Sequence, residues 1–500
     1  MELFDNLMLG FASALTLQNL FYAFVGCFLG TLIGVLPGLG PLATISMLLP
    51  FTFGLEPLSA LIMLSGIYYG AAYGGSTTAI LVNLPGETSS VVTVLDGYQM
   101  ARQGRAGVAL STAALGSFFA GCVGTLILAA FAKPLTEFAF AFGPAEYFSL
   151  MTMGLVGAVS LASGPLLKAI GMIVLGLLLG LVGTDVASGV MRFTFGLPQL
   201  WEGVDFIVIA VGIFAFGEII ASLEHKEVRE AYTGKITNLW PSLSDFKQMM
   251  PAVMRGSAIG AAVGVLPGAG LSLSSFFAYS LEKKVSKTPE RFGKGAIEGV
   301  AGPEAANNAA AQTAFIPTLT LGIPGSATMA LMLGAMIVHN IQPGPQVMTS
   351  NPSLFWGLIA SMWIGNLMLV ILNLPLVGIW VKLLTVPYKV LYPAILLFCC
   401  VGVYSVQNSV FDLFLAVGFG FFGYALKKLE CEPAPLLLGF VLGPMIEENF
   451  RRAMVISKGD FSIFIHRPIS AILLAATAVL ILAVALPAIR SRREEAFQES

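Results

Sequence analysis

Long stretches of this chain carry no Asp, Glu, Lys or Arg: residues 6–55, 57–86, 106–132, 147–167, 256–281, 305–381 and 390–411. A bilayer core about 30 Å thick needs roughly 20 apolar residues per helix, so each run is long enough to cross it, and the 305–381 run must hold at least two spans. Pro468 to Ile489 reads as a single clean span closed by Arg490-Ser491-Arg492-Arg493. The pattern predicts an all-α polytopic membrane protein with about ten to twelve membrane segments. Charge is confined to short islands: Arg102 to Arg105, Glu224 to Lys247, Glu282 to Lys294, Lys427-Lys428, Arg451-Arg452 and the C-terminal tail.

Those islands set an orientation. Basic residues mark cytoplasmic loops, which puts the tail inside, together with the stretch bearing Lys226, Arg229, Lys235 and Lys247. The N-terminus carries Glu2 and Asp5 and no basic residue, which places it outside. It also lacks the basic start of a cleaved leader, so the first hydrophobic helix is expected to serve as the targeting signal. An outside start and an inside linker require an odd number of crossings in the first half, the count that an inverted repeat needs.

The two halves do echo each other. Gly34-Val35-Leu36-Pro37-Gly38-Leu39-Gly40 recurs as Gly264-Val265-Leu266-Pro267-Gly268-Ala269-Gly270, six of seven positions identical at an offset of 230. Asn83-Leu84-Pro85-Gly86-Glu87-Thr88 matches Gly322-Ile323-Pro324-Gly325-Ser326-Ala327 more loosely, at an offset of 239. The expected organisation is a first transmembrane repeat over 1–223, a charged cytoplasmic linker over 224–251, and a second repeat over 252–465. An extra C-terminal helix and cytoplasmic tail would fill 466–500.

Each repeated element is a Pro-Gly break inside an apolar segment. Proline removes a backbone donor and clashes with the preceding turn, and glycine admits conformations that other residues resist. In hydrocarbon such breaks persist only where they are buried in protein or line a cavity. Matched breaks in two halves point to a transporter site with broken or re-entrant helices, where helix N-termini face an anion and unwound carbonyls face a cation. The alternative is that they are kinks for tight helix packing.

Polar residues accompany the breaks. Ser76, Thr77, Thr78, Asn83, Pro85 and Gly86 from the first half, with Asn307, Asn308, Thr313, Pro324, Gly325 and Ser326 from the second, are the candidate substrate-binding residues. Pro37, Gly38, Gly40, Pro267, Gly268 and Gly270 are candidates for ion coupling, together with Glu87 and Glu304, because an ionisable residue inside an apolar run is a functional candidate by default. Interhelical hydrogen bonding is the alternative for any single Ser or Thr, and Tyr68, Tyr69 and Tyr73 could simply pack. Asp96, Glu146, Asp185 and Glu218 lie near span ends, where solvation is expected.

Composition narrows the chemistry. AVILMFWYC residues make up 56% of the 500 and DEKR only 11%, too little charge to cover a soluble surface. The 55 glycines show no collagen period, and the net charge of −2 favours no nucleic acid partner. Five cysteines form no CxxC pair and three histidines form no cluster, so neither a protein-ligated zinc site nor any other cofactor is expected beyond a co-transported Na⁺. Gly38-Leu39-Gly40-Pro41-Leu42-Ala43 fits a dinucleotide fingerprint, but no strand precedes it. No Walker A motif occurs, and no catalytic constellation suggests an enzyme. Lys and Arg are absent from the breaks. An anionic substrate would then be met by dipoles, hydrogen bonds and a co-bound cation, which argues for cation-coupled uptake.

Several long motifs resemble a known family. They are Gly34 to Pro41, Tyr69-Gly70-Ala71-Ala72-Tyr73-Gly74-Gly75-Ser76-Thr77, Asn83 to Glu87, Asp96-Gly97-Tyr98-Gln99-Met100-Ala101-Arg102-Gln103-Gly104-Arg105-Ala106-Gly107, and Gly302-Pro303-Glu304-Ala305-Ala306-Asn307-Asn308-Ala309-Ala310. Over about residues 15 to 465 the chain is similar to TctA, the large membrane subunit of tripartite tricarboxylate transporters. The resemblance implies a multi-pass protein of the bacterial inner membrane and a secondary transporter driven by a Na⁺ or proton gradient. Its implied partners are a small membrane subunit and a periplasmic solute-binding protein that delivers citrate or another carboxylate. An elevator-like or rocking motion is implied as well. The rival readings are a passive channel or exporter for small organic anions, a polytopic membrane enzyme, and a scaffold subunit without transport activity.

Overall fold

A computed structural model describes the chain apart from residues 1, 37–38, 162–164, 186, 225–238, 267–269, 385–387 and 486–500. It is an all-α protein whose strands, among the described residues, are the two-residue pair Gly183–Thr184 and Met191–Arg192. Five helical segments are long and apolar enough to cross a membrane: Leu17–Gly34, Thr88–Ala139, Phe206–Glu224, Pro352–Asn373 and Val410–Lys428. Shorter apolar helices include Leu166–Gly180, Ala327–Val338 and Pro468–Leu482. Phe21, Phe131, Phe398, Phe414, Phe421 and Ile472 stand exposed on the outer helices, as lipid-facing side chains do.

Two further helices are not lipid-facing at all. Pro57–Val82 is buried at every residue from Ser59 onward, and Glu298–Thr313 at every residue from Gly299 onward. Their Gly, Ala, Ser, Thr and Asn content suits close packing on all sides rather than contact with hydrocarbon.

Each of these buried helices lies along a glycine seam. Gly26, Gly30 and Gly34 of Leu17–Gly34 meet the backbone of Met63, Ile67 and Ala71 so closely that a Cβ at any of them would overlap a carbonyl oxygen. Gly256, Gly260 and Gly264 of Leu243–Gly264 meet Gly302, Ala306 and Ala310 in the same way. Both series ascend together, so within each pair the helices run parallel. The intervening segment must therefore turn back, and Pro41–Leu48 and Gly270–Val285 are those returns. Polar ties hold both sets together: Ser59 Oγ donates to Asn19 Oδ1 at 2.6 Å between the starts of the first parallel pair, and Arg255 pairs with Glu282 of the second return helix at 2.6 Å.

The turns at the breaks match in backbone as well. Pro57–Val82 ends at Asn83 with φ 59°, ψ 27°, and Phe315–Leu321 ends at Gly322 with φ 70°, ψ 26°. After Pro-Gly, Glu87 (φ −147°, ψ 168°) and Ser326 (φ −155°, ψ 169°) cap the next helical segments. Gly322 and Asn83 are the residue types that tolerate a left-handed helix end.

The expectation of solvated carboxylates at span ends fails for three of four positions. Asp96 is fully buried, Glu146 is 2% exposed and Asp185 is 7% exposed. Each is held by specific donors, which makes burial tolerable. Asp96 Oδ1 accepts the N–H groups of Gly293, Gly295 and Ala296 at 2.8–2.9 Å, and its Oδ2 accepts the Tyr279 hydroxyl at 3.0 Å. Glu146 accepts the Gly143 N–H at 2.8 Å and pairs with Arg467 at 3.1 Å. Asp185 pairs with Arg192 and Arg451, both of which also reach Glu447. Glu218 is the partly exposed one, paired with Lys427 at 2.8 Å.

Candidate functional site

The two buried helices cross where the halves meet. Tyr69 lies tilted against Phe315 (6.3 Å between ring centroids), while Ser76, seven residues further along its helix, touches Glu304, eleven residues earlier in the other half. Pro57–Val82 and Glu298–Thr313 therefore pass each other in opposite directions.

At that crossing Glu304 is 1% exposed and draws hydroxyls from two elements of the first half. Ser76 Oγ donates to Oε2 at 2.7 Å, and Thr93 Oγ1 donates to Oε1 at 2.5 Å. One turn on, Asn308 Nδ2 donates to Ser117 Oγ at 2.6 Å and to the Glu304 carbonyl at 3.0 Å. Asn307 Nδ2 reaches Glu87 Oε1 at 3.3 Å, and Ser89 Oγ donates to the same oxygen at 2.5 Å. No Lys or Arg pairs with Glu304 or Glu87 among the described residues. Charge here is met by neutral donors alone.

A cavity beside Glu304 is lined by Tyr73, Ser76, Thr77, Ser117 and Asn373 among others. About 10 Å³ of it is open to the centre of a water molecule, room for about one water. A second cavity of the same size lies at the breaks of the second half, between Tyr68, Gly264, Leu271, Gly325 and Ser326. Both are closed down too far for a multi-carbon acid.

The sequence-selected residues divide accordingly. Ser76, Asn307, Asn308, Glu87 and Glu304 come together at the crossing, with Thr77 on the cavity wall. Gly325 and Ser326 line the second cavity, beside Pro324. Thr78 and Thr313 serve the backbone: Thr78 Oγ1 donates to the Val35 carbonyl at 2.6 Å, fastening the first break, and Thr313 Oγ1 donates to the Ala309 carbonyl at 3.1 Å. Gly86, which follows Pro85, lies so close to Gly75 that a Cβ on Gly86 would overlap the Gly75 backbone. Asn83 lies away from the cluster as an exposed left-handed helix cap. Gly40 and Gly270 begin the two return helices. Pro37, Gly38, Pro267 and Gly268 lie outside the described residues.

Three contributors were not singled out by sequence: Thr93, Ser117 and Asn373. Thr93 follows the second break on its own helix, Val91–Met100, and that proximity was the available signal. Ser117 is an isolated hydroxyl in an apolar helix, with nothing to distinguish it from a hydroxyl bonded to its own helix.

The chain is 59% identical over 499 residues to a protein of Agrobacterium vitis described as "Uncharacterized 52.8 kDa protein in TAR-I ttuC' 3'region", covering 100% of this chain and 99% of that one. A second protein of the same organism, "Uncharacterized protein in TAR-II ttuC' 3'region", is 60% identical over 240 residues, covering 48% of this chain and 99% of its own length. No solved structure matches the chain. A family model described as the tripartite tricarboxylate transporter TctA family matches residues 20–438. Matched over most of its length, this membrane protein belongs to the TctA family.

Proposed function

We propose that this chain is the translocating subunit of a secondary active transporter of the bacterial inner membrane, importing tricarboxylates or related carboxylates. A small membrane subunit would assemble with it, and a periplasmic solute-binding protein would deliver the substrate. Uptake would be driven by a Na⁺ or proton gradient. The two glycine-seamed helix pairs would be inverted-topology repeats. Their matched offsets and the opposite directions of Pro57–Val82 and Glu298–Thr313 support that arrangement.

The observation that carries the reading is Glu304. A carboxylate buried at the meeting of two halves, faced by hydroxyls and by no basic side chain, is costly to hold as a bare charge. A proton or a Na⁺ resolves that cost. Ser76 is suited to either state, since its hydroxyl can donate to an ionised Glu304, or donate to the Ala72 carbonyl at 3.2 Å and accept from a protonated one. A carrier that loads a cation here and a carboxylate at the adjoining breaks couples the two fluxes when the helices part. The closed cavities fit an occluded state between the two openings.

The test is uptake of labelled carboxylates into proteoliposomes that hold the complete transporter, with Na⁺ and proton gradients imposed in turn. Accumulation above the external concentration under one gradient is expected. Equilibration without accumulation under both would instead favour a passive channel.

A further inference from the structure

The breaks of the two halves share a backbone but not a chemistry. At the offset of 239, Asn307 is the counterpart of Tyr68 and Ser326 that of Glu87. In the first half, Glu87 places its own carboxylate at the start of the helical segment that follows. There it accepts the Ser89 hydroxyl at 2.5 Å and the backbone of Ser90, while Asn307 reaches across from the other half to donate at 3.3 Å. The second half has the same frame with the carboxylate removed. Ser326 is too short to extend past its own cap, where it accepts the Met329 N–H at 3.2 Å. Beside it lies the second cavity, and Tyr68 reaches across from the first half to line it. Tyr68 is fully buried and its hydroxyl has no partner among the described residues.

Packing does not explain that hydroxyl. The ring sits 5.4 Å from Tyr69 and 6.2 Å from Phe315, contacts that a phenylalanine would make equally well without stranding a polar group. We infer that the second-half break is the anchoring subsite for one carboxylate of the substrate, held by the Tyr68 hydroxyl and by the amides that open helix Ala327–Val338. The carboxylate of Glu87 occupies the equivalent place in the first half and marks the geometry. The first amides of a helix have no partner within it, and its dipole favours an anion there. A substrate carboxylate is thus recognised by neutral donors, which is consistent with the lack of Lys and Arg at the breaks. This inference rests on the transport reading and assigns a residue and a ligand group to it.

The test uses the full chain with citrate as probe, by uptake in proteoliposomes holding the complete transporter and by titration of the detergent-solubilised chain. Tyr68→Phe removes only the hydroxyl and is expected to raise the citrate KM and Kd about tenfold, with the thermal unfolding midpoint and maximal rate unchanged. Ser326→Glu installs in the second half what the first half already has. It is expected to abolish citrate binding by filling the subsite from within, in a protein that still folds. Unchanged citrate affinity in Tyr68→Phe overturns the inference and leaves transport standing, as does citrate binding by folded Ser326→Glu. If Ser326→Glu does not fold, Tyr68→Phe decides alone. A wild-type chain that neither binds nor transports citrate or any other carboxylate overturns the transport reading and the inference with it.

Discussion

Glu304 shows how much one side chain can organise. It gathers Ser76 from a fully buried helix and Thr93 from the helix after the second break, so two separate segments of the first half are fastened to one atom pair in the second. Ser76→Ala or Thr93→Val removes one of the hydroxyl donors to the Glu304 carboxylate. Each is expected to lower the initial uptake rate about tenfold, and the double variant by less than the product, because both act on one group. Initial rates in proteoliposomes read this directly. Glu304, Asn307 and Asn308 were legible in sequence because amides and carboxylates are rare in apolar runs. Asn83 was picked out as a polar residue of the break, yet its place is an exposed left-handed cap. Asn83→Gly should therefore leave uptake within about twofold, since glycine adopts that conformation at no steric cost.

Among the elements, the glycine seams carry the fold. At Gly30 and Gly260 a side chain would overlap a carbonyl of the neighbouring helix, and the seam runs straight into each break. Gly30→Leu or Gly260→Leu is expected to destabilise the protein by about 3 kcal/mol or more, whereas Gly54→Ala, with open space around it, should stay within about 0.5 kcal/mol. Thermal unfolding in detergent compares them. The sequence showed that glycines cluster in the broken segments. It could not show that they recur every four residues against a particular partner helix, because that depends on a contact partner 37 or 46 positions away. Outside the spans, the turn bearing Asp185 is a second such element. The Ser188 hydroxyl, Arg451 and the Ala187 N–H hold its carboxyl down at about 2. Its contribution is fully present above the unfolded value near 4 and is lost as pH falls through about 2. Hydrogen exchange at 183–192 should stay slow at pH 4 and rise only as pH approaches 2. Asp185→Asn should exchange fast at both.

For the whole molecule, hydrophobic periodicity was enough to identify an all-α membrane protein, and Glu87 and Asn307, picked out as polar neighbours of the breaks, touch each other across the two halves. It was less informative about the two central helices, whose polar and small residues disguise them as weak spans. It also misread Asp96, whose burial is possible only because the loop 293–296 folds three N–H groups around it. That clamp ties Val91–Met100 of the first half to the loop ahead of Glu298–Thr313, on the same side as Arg105 and Asp245. Asp96→Asn keeps the shape but weakens the acceptor of this tie between the halves, and is expected to slow turnover more than it changes KM. Steady-state uptake kinetics separate the two.

Glu304 is the residue proposed to carry the coupling cation. The measurement that reaches it most directly compares wild type with Glu304→Gln in the reconstituted transporter, assayed both for gradient-driven accumulation and for carboxylate exchange without any gradient. Glutamine fits the space and keeps the Ser76 and Thr93 contacts but binds neither a proton nor Na⁺ as a carboxylate does. The expected result is exchange retained and accumulation lost. Gradient-driven accumulation at the wild-type level in Glu304→Gln would contradict the account.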